Sequence, residues 1–539
     1  RNWIDPETRN EPMKKNLVLF AIVFLSICIG YLLGSEKEIL MSNQQDSWSM
    51  NRLERLLQYI NNDYVEEIDT DSLVGEVIED IVNRLDPHSV YIPAHHRQSI
   101  AENMQGNFYG IGVSFLMFKD SVTIIRVLEG GPSEAAGLLA GDRILIADKD
   151  TLFQKNYSSE KIMQTLKGRP GTSVDLTIYR KSEDKIFQLE MKRGKVPLPS
   201  VDSYYMMEKT VGYLKINRFS QTTYNEFDLA LDDLISQGMK KMILDLRDNP
   251  GGYLHPAIQI SNALLQKDQT IVITKSNMGE EERSLAEGNG NFQEGDLIVL
   301  VNGQSASASE IVAGAVQDND RGWIIGRRTF GKGLVQQQMP LGGGDAVRLT
   351  IAKYFTPTGR SIQKPYNGDR EAYDQDLSNR YHNGEMADAK KIPVTDSLAY
   401  KTPKGRTVFG GGGITPDFYI SNKNTEQEEW NSLLLNSNMM NNFVFEELDK
   451  NRKKFNDFAM VDILEGQFED LLPWHDLFVK YCADKQVEVT IEEWETLRAV
   501  KAYLGLQLFG ENTFNQIKNQ HDLFLETAIS TLDSLSKFN

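Results

Sequence analysis

The sequence predicts a multi-domain α/β protein with a β-rich domain and helical regions at both ends. Its 539 residues correspond to roughly three or four domains at ~150 residues per domain. The β-branched run Leu297–Val301 is typical of a buried strand, and the small residues of Ala306–Val316 predict the helix that follows it. Apolar residues recur at helical spacing between residues 48 and 100 and again beyond residue 421.

These patterns divide the chain into five regions. We expect an N-terminal tail with an apolar segment (1–45), a helical region (46–98), a β-rich domain (99–195), an α/β core (196–420) and a helical C-terminal domain (421–539). The polar, glycine-punctuated stretch at about 364–412 is predicted to be an insertion in the core, exposed at the surface as long loops usually are.

Composition excludes several classes of function. A net charge of −18, with no basic, aromatic-rich stripe, argues against a nucleic-acid partner. Neither a C-x-x-C nor an H-E-x-x-H motif is present, so we expect no metal and no other cofactor. Cys28 and Cys482 lie in regions of such different character that no disulfide framework is indicated.

The N-terminal segment predicts attachment to a membrane. Leu17–Leu33 is almost unbroken in its apolar character and follows Lys14 and Lys15. Because no small-x-small cleavage site follows, we expect an uncleaved anchor, with the lysines in the cytoplasm and the rest of the chain outside. Lipidation of Cys28, within the degenerate lipoprotein box Leu25–Cys28, is the alternative.

A serine at the predicted strand–helix junction has the setting of a nucleophile. The free N–H groups at a helix N-terminus favour the oxyanion that acyl transfer creates, and Ser307 lies at that point. Lys332, between two glycines, is the nearest credible base, provided that burial lowers its pKa from ~10.4. Gln336, four residues further on, can reach the lysine from either a helix or a strand. His255 is the alternative base, although a histidine beside a turn is more often structural.

These motifs resemble those of the C-terminal processing peptidases, also called tail-specific proteases. Ser305–Ile311 corresponds to the family's S-A-S-A-S-E-I motif, and Thr329–Gln336 to T-F-G-K-G-x-V-Q. The resemblance implies that Ser307 is the nucleophile, Lys332 the base and Gln336 its positioning residue. The family's R-x-N-P-G-G motif is present at Arg247–Gly252. The resemblance therefore implies an oxyanion hole made by Gly251 or Gly252 together with the amide of Ala308.

A second resemblance is to the PDZ domains of bacterial proteases. Its carriers are the loop Tyr109, Gly110, Ile111 and Gly112, and the run P-S-x-x-A-G-L…G-D-x-I-L that begins at Pro132. In such a loop, consecutive backbone N–H groups hold a peptide's terminal carboxylate while the peptide adds to the sheet as a strand.

Together the resemblances imply an endopeptidase of the bacterial envelope, anchored in the inner membrane with its catalytic domains in the periplasm. They also imply a core of the ClpP/crotonase type, a homodimer formed by the N-terminal helices, and substrates with free, apolar C-termini. Two other classes remain open: a catalytically silent PDZ scaffold that binds C-terminal peptides, and a crotonase-like acyl-CoA enzyme. The insertion at 364–412 departs from the family pattern, and a lid or binding role is a hypothesis for it.

Overall fold

The computed structural model describes residues 51–535, except for 119, 156, 395, 456–457 and 467–470. The chain divides into two compact units, residues 1–81 and 82–539. In the first, residues 51–63 are helical, and helix α1 (Thr70–Asn83) begins there. The predicted anchor Leu17–Leu33 and Cys28 lie outside the described residues. Within the described ranges, no helix is both long enough and apolar enough to cross a membrane.

The predicted PDZ region is a β-rich domain built around one twisted sheet. Its strands run in the order β3-β4-β5-β7-β8, with β6 beside β5, and β3 is an edge strand. The strands are β3 (Val113–Phe118), β4 (Ser121–Val127), β5 (Asp142–Ala147), β6 (Asp150–Thr151), β7 (Ser173–Arg180) and β8 (Lys185–Lys192). Two helices pack here, α3 (Pro132–Ala135) and α4 (Ser159–Leu166), and β2 (Asn107–Gly110) pairs with β9 (Gly194–Pro197). Helix α2 (Ala94–Gln105) leads into β2.

The core contains a six-stranded sheet whose inner strands are parallel. The order is β10-β11-β12-β15-β16-β21. These strands are β10 (Val201–Glu208), β11 (Val211–Ile216), β12 (Lys241–Asp245), β15 (Asp296–Val301), β16 (Trp323–Gly326) and β21 (Phe418–Tyr419). Helices α5 (Thr223–Ser236), α6 (Leu254–Leu264) and α7 (Ala308–Asp318) pack on one face.

Both faces of this sheet are buried, which explains the apolar run in β15. Val299 and Val301 point to the face covered by α5–α7, whereas Ile298 and Leu300 point to the opposite face. That second face is covered by the last helix of the chain through Leu525 and its neighbours. A sheet with helices on both sides confirms the predicted α/β class.

A second sheet lies beside the segments that carry Ser307 and Lys332. Its order is β1-β18-β13-β14, with β17 paired to β18. The strands are β1 (Val90–Ile92), β13 (Thr270–Ser276), β14 (Glu281–Leu285), β17 (Leu334–Gly342) and β18 (Asp345–Phe355).

The stretch at 364–412 has more structure than a surface loop. It contains helices α8 (Arg370–Asp374) and α9 (Asp376–His382) and a hairpin of β19 (Ala399–Lys401) and β20 (Thr407–Phe409). Arg380 is only 1% exposed, because its guanidinium donates to the carbonyls of Arg328 and Thr329. The insertion is therefore packed onto the loop that carries Lys332.

The C-terminal region is helical, as predicted. Its helices are α10 (Glu426–Leu435), α11 (Asn438–Lys450), α12 (Arg452–Phe455), α13 (Met460–Glu465), α14 (Trp474–Asp484), α15 (Glu493–Phe509), α16 (Glu511–Lys518) and α17 (Leu523–Leu535). Cys482 is buried in the core of this bundle.

Candidate active site

Ser307 lies where β15 gives way to α7, and it is the N-cap of that helix. Its backbone has φ 54° and ψ −111°, which is a strained conformation for a residue with a side chain. The neighbouring serines have structural hydrogen bonds. Ser305 Oγ donates to the carbonyl of Leu246 at 2.8 Å, and Ser309 Oγ donates to that of Asn249 at 3.0 Å.

A buried carboxylate joins the backbones of Ser307 and Lys332. Glu310 Oε2 accepts the N–H of Ser307 at 2.8 Å and that of Lys332 at 2.9 Å. Its other oxygen accepts from Thr329 Oγ1 at 2.5 Å and from the Gly331 N–H at 2.8 Å. Burial raises the pKa of Glu310, and these hydrogen bonds oppose that shift. One side chain thus fixes the spacing between two segments that are distant in sequence.

The hydroxyl of Tyr354, on β18, makes a second connection between the same two residues. It lies 3.0 Å from the carbonyl oxygen of Ser307 and 2.6 Å from that of Lys332. The ring is 1% exposed. Glu310 therefore holds the backbone N–H groups of Ser307 and Lys332, and Tyr354 lies against their carbonyl oxygens; both of these side chains are buried.

The Lys332 side chain is half-buried, and its amine is directed to Gln336. Nζ donates to Gln336 Oε1 at 2.8 Å. Burial, reinforced by the positive charge of Arg348, lowers the pKa of Lys332. No hydrogen bond joins Ser307 Oγ to Lys332 Nζ among the described residues; catalytic hydrogen bonds often form only with substrate bound.

Gln336 is itself held in place. Its Nε2 donates to the carbonyl of His88, which belongs to the segment 85–89 before β1. The pKa of His88 is lowered to about 4, first by burial and then by the charge of Lys332. The imidazole is therefore neutral near pH 7, and its Nε2 is 2.7 Å from Tyr373 Oη.

The Asn-Pro-Gly-Gly loop lies directly against Ser307. A Cβ placed on Gly251 would be 2.8 Å from Ser307 Cβ and 2.9 Å from the amide nitrogen of Ala308. The Gly251 N–H donates to Asn249 Oδ1 at 2.8 Å. Within the described part of the chain, the amides of Gly252 and Ala308 have no hydrogen-bond acceptor. Of the two glycines, Gly252 is thus the one with a free donor.

The same loop is anchored by an ion pair at the end of β12. The carboxylate of Asp245, fully buried, accepts from Arg247 Nε and Nη2 at 2.6 to 3.0 Å, and Tyr213 Oη donates to it at 2.8 Å. Arg247 Nη1 also reaches Asp522, at the start of α17, at 2.7 Å. The C-terminal region therefore contacts the loop next to Ser307.

The predicted carboxylate-binding loop comprises the last two residues of β2, Tyr109 and Gly110, and the two residues that connect β2 to β3, Ile111 and Gly112. Tyr109 is 37% exposed, whereas Ile111 is buried at 2%. Gly112 has φ 84°, and a Cβ there would be 3.2 Å from Val196 and 3.3 Å from Gly131, so a side chain would be both strained and crowded. The loop opens onto the free edge of β3, where an added strand could pair.

Sequence reasoning missed Glu310 and Tyr354. Glu310 had a readable signal, because Ser307-x-x-Glu310 has the spacing of a capping box, in which the N3 carboxylate accepts the N-cap amide. Tyr354 had no comparable signal in the sequence. Asp318 ends α7 and forms a fully buried ion pair with Arg360 at 2.7 Å, and His255 lies in α6.

Comparison with known proteins agrees with this layout. The model of Peptidase family S41 matches residues 210–370, a PDZ domain model matches 110–191, and a family of unknown function (DUF8443) matches 430–510. A carboxy-terminal-processing protease of Bartonella bacilliformis is 33% identical over 356 residues, 65% of this chain and 80% of that protein.

Two further matches each cover about two thirds of this chain. A "Probable CtpA-like serine protease" of Staphylococcus aureus is 32% identical over 338 residues, 62% of this chain and 66% of that protein. The solved structure of a photosystem II D1 C-terminal processing protease is 24% identical, with a TM-score of 0.36, and the match covers 68% of this chain and 85% of that one.

An α/β core matched by family S41, preceded by a PDZ domain, defines a serine-type peptidase with a peptide-binding module. A relative that is 33% identical over four-fifths of its own length identifies the particular family within this class. The chain belongs to the family of carboxy-terminal processing proteases.

Proposed function

We propose that this protein is a serine endopeptidase that captures the free C-terminus of a substrate on its PDZ domain and cleaves nearby by a Ser/Lys mechanism. The observation that carries the proposal is the joining of Ser307 and Lys332 by Glu310 and Tyr354. Two segments that are distant in sequence are held together by fully buried groups. A scaffold that only bound peptides would not need this arrangement.

The chemistry follows from that arrangement. Neutral Lys332 takes the hydroxyl proton as Ser307 Oγ attacks the peptide carbonyl, forming a tetrahedral intermediate. The amide of Ala308 and a glycine amide of the facing loop stabilise the oxyanion. Lysine then protonates the leaving amine as the C–N bond breaks. Water, deprotonated by the same amine, hydrolyses the acyl-enzyme ester and restores Ser307.

A lysine base needs both a lowered pKa and a fixed orientation. Burial of Lys332 provides the first, and Gln336 provides the second. A neutral amine can donate one N–H to Gln336 and still direct its lone pair towards the serine hydroxyl. Arginine could not replace it, because a guanidinium stays charged in proteins.

Substrate capture is assigned to the loop Tyr109–Gly112 and the edge strand β3. A peptide that pairs with β3 gains main-chain hydrogen bonds, and its terminal carboxylate reaches the N–H groups of the loop. The preference for apolar C-terminal residues remains part of the proposal.

Location and assembly belong to the proposal as well. The apolar segment Leu17–Leu33 would anchor the protein in the inner membrane, with the catalytic domains in the periplasm. A homodimer through the N-terminal helices is supported by their exposed apolar side chains, including Leu56, 54% exposed, and Tyr59, 63% exposed. Light scattering of the purified full chain would test the dimer.

The test of the activity uses the full chain and an unfolded protein with an apolar free C-terminus. We expect cleavage of this substrate, little cleavage of the same substrate with an amidated C-terminus, and none by Ser307→Ala or Lys332→Arg. Lys353→Arg, on the exposed side of β18, is the matched control and should cleave normally. Binding without cleavage by the wild-type protein would instead support a PDZ scaffold.

A further inference from the structure

Tyr373, in the insertion at 364–412, lies at the end of a hydrogen-bonded chain that leads to Lys332. The tyrosine is 5% exposed. Its hydroxyl is 2.7 Å from His88 Nε2, and its ring packs edge-on against the imidazole with centroids 5.4 Å apart. His88 also packs against Phe330, which lies two residues before Lys332.

From His88 the chain continues to the catalytic lysine. The carbonyl of His88 accepts from Gln336 Nε2, and Gln336 Oε1 accepts from Lys332 Nζ at 2.8 Å. The His88 segment is held independently by Asp86, which accepts the N–H of His88 at 2.8 Å and that of Ser89 at 2.9 Å. Asp86 therefore holds two amides of this segment, and Tyr373 holds the imidazole of His88, so the residue that accepts from Gln336 is held at both its backbone and its side chain.

A second route from Tyr373 reaches the backbone beside the lysine. Gln363 Nε2 donates to the Tyr373 hydroxyl at 3.0 Å, and Gln363 Oε1 accepts the Gly333 N–H at 2.9 Å. Lys364 Nζ donates to the carbonyl of Tyr373 at 2.9 Å and lies 3.9 Å from the centre of its ring. The hydroxyl therefore connects to the loop of Lys332 from both the amine side and the backbone side.

We infer that Tyr373 is a positioning residue, supplied by the insertion, that orients the amine of Lys332 through His88 and Gln336. The inference rests on the proposed role of Lys332 as the base. A lysine stem has four rotatable bonds, so its amine is productive only when neighbouring groups restrict it. Gln336 can do so only while its own amide is held by His88. Loss of the Tyr373 hydroxyl would remove the hydrogen bonds to the His88 imidazole and to Gln363, so that His88 on one side of Lys332 and the Gly333 amide on the other would both be held less rigidly.

The variant Tyr373→Phe tests the inference because it removes the hydroxyl and keeps the ring. We expect kcat to fall on the order of 10-fold with KM within about 2-fold, since the base acts in the chemical step. Tyr366→Phe is the matched control. Tyr366 packs edge-on against the Tyr373 ring at 5.7 Å, and its hydroxyl has no hydrogen bond to the described residues. This control should leave kcat unchanged.

A double-mutant cycle distinguishes positioning from a general structural role. If Tyr373 acts through Gln336, then Tyr373→Phe should have little further effect on kcat in a Gln336→Ala background. Equal losses in both backgrounds would overturn the inference, as would equal losses in Tyr373→Phe and Tyr366→Phe. If Ser307→Ala abolished cleavage while Tyr373→Phe kept the wild-type kcat, only the inference would fail. Cleavage by Ser307→Ala would defeat the proposed function itself.

Discussion

Replacing Glu310 with glutamine would test whether one buried carboxylate holds the segments of Ser307 and Lys332 together. Glutamine has the same shape but one acceptor oxygen, and its NH₂ group must face a donor. The amide nitrogen would be accommodated best beside Thr329, whose hydroxyl can turn and accept. In that orientation the Gly331 N–H loses its partner, and the remaining oxygen still accepts from Ser307 and Lys332.

The cost can be worked out from these contacts. Two hydrogen bonds to a charged oxygen, ~1.5–3 kcal/mol each, become neutral bonds of ~0.5–1.5 kcal/mol. The buried Gly331 N–H adds ~1–3 kcal/mol for a donor without an acceptor. The free energy of unfolding should therefore fall by about 3–6 kcal/mol. Because the same bonds set the distance between Ser307 and Lys332, kcat should fall on the order of 10²-fold.

Urea unfolding and cleavage kinetics of Glu310→Gln would measure both quantities. Glu428→Gln is the matched control, because Glu428 occupies the same N3 position in α10 and accepts the amide of its N-cap, Thr425, at the protein surface. Its effect should be much smaller. A Glu310→Gln variant with unchanged kcat and an unfolding free energy within about 1 kcal/mol of wild type would refute the reasoning.

Three further predictions concern the pH dependence of cleavage, the loop at Gly251 and the boundary of the PDZ domain. The value of kcat/KM should rise with pH through the pKa of Lys332, because only the neutral amine can accept a proton, and burial places this pKa below ~10.4. A pH profile in which kcat/KM does not fall at low pH would contradict lysine as the base. Gly251→Ala should abolish cleavage, since its Cβ would be 2.9 Å from the amide of Ala308, whereas Gly359→Ala, with φ 83° and open space around it, should remain active in the same assay. Asp449→Asn should increase amide hydrogen exchange at the boundary between the PDZ domain and α11, because Arg143 and Lys181 lose their carboxylate partner, while the core sheet stays protected. Unchanged exchange at this boundary would show that the buried carboxylate is not needed to hold the two elements together.

Much of the site could be predicted because its motifs are local. Ser307 follows a strand whose β-branched run is visible in the sequence, and Gln336 accepts from the amine of Lys332 at the four-residue spacing that the sequence predicted. The α/β class and the helical C-terminus followed from periodicity in the same way. The predicted helix Ala306–Val316 begins at Ala308 instead, because Ser307 adopts a strained conformation that only the folded loop imposes.

The parts that could not be predicted depend on contacts between distant residues. Tyr373 lies in a stretch whose polar composition suggested an exposed loop, and nothing local indicates that it reaches His88, 285 positions away. Arg380 is polar by composition but fully buried, because carbonyls from a distant loop satisfy its guanidinium. Side-chain hydrogen bonds of this kind leave no periodic pattern, so only the structure reveals them.

The C-terminal helices contribute to the same long-range order, because they contact both the PDZ domain and the core. Asp449, whose side chain is 5% exposed, binds Arg143 and Lys181 of the PDZ domain, and Asp522 binds Arg247 beside the Asn-Pro-Gly-Gly loop. In the proposed mechanism the substrate's C-terminus is held on one domain while the bond is cut on another. The distance between the two sites then decides how far from the C-terminus cleavage occurs. Because the C-terminal helices bind both domains, we expect this distance to be set by the fold and not by movement of one domain relative to the other.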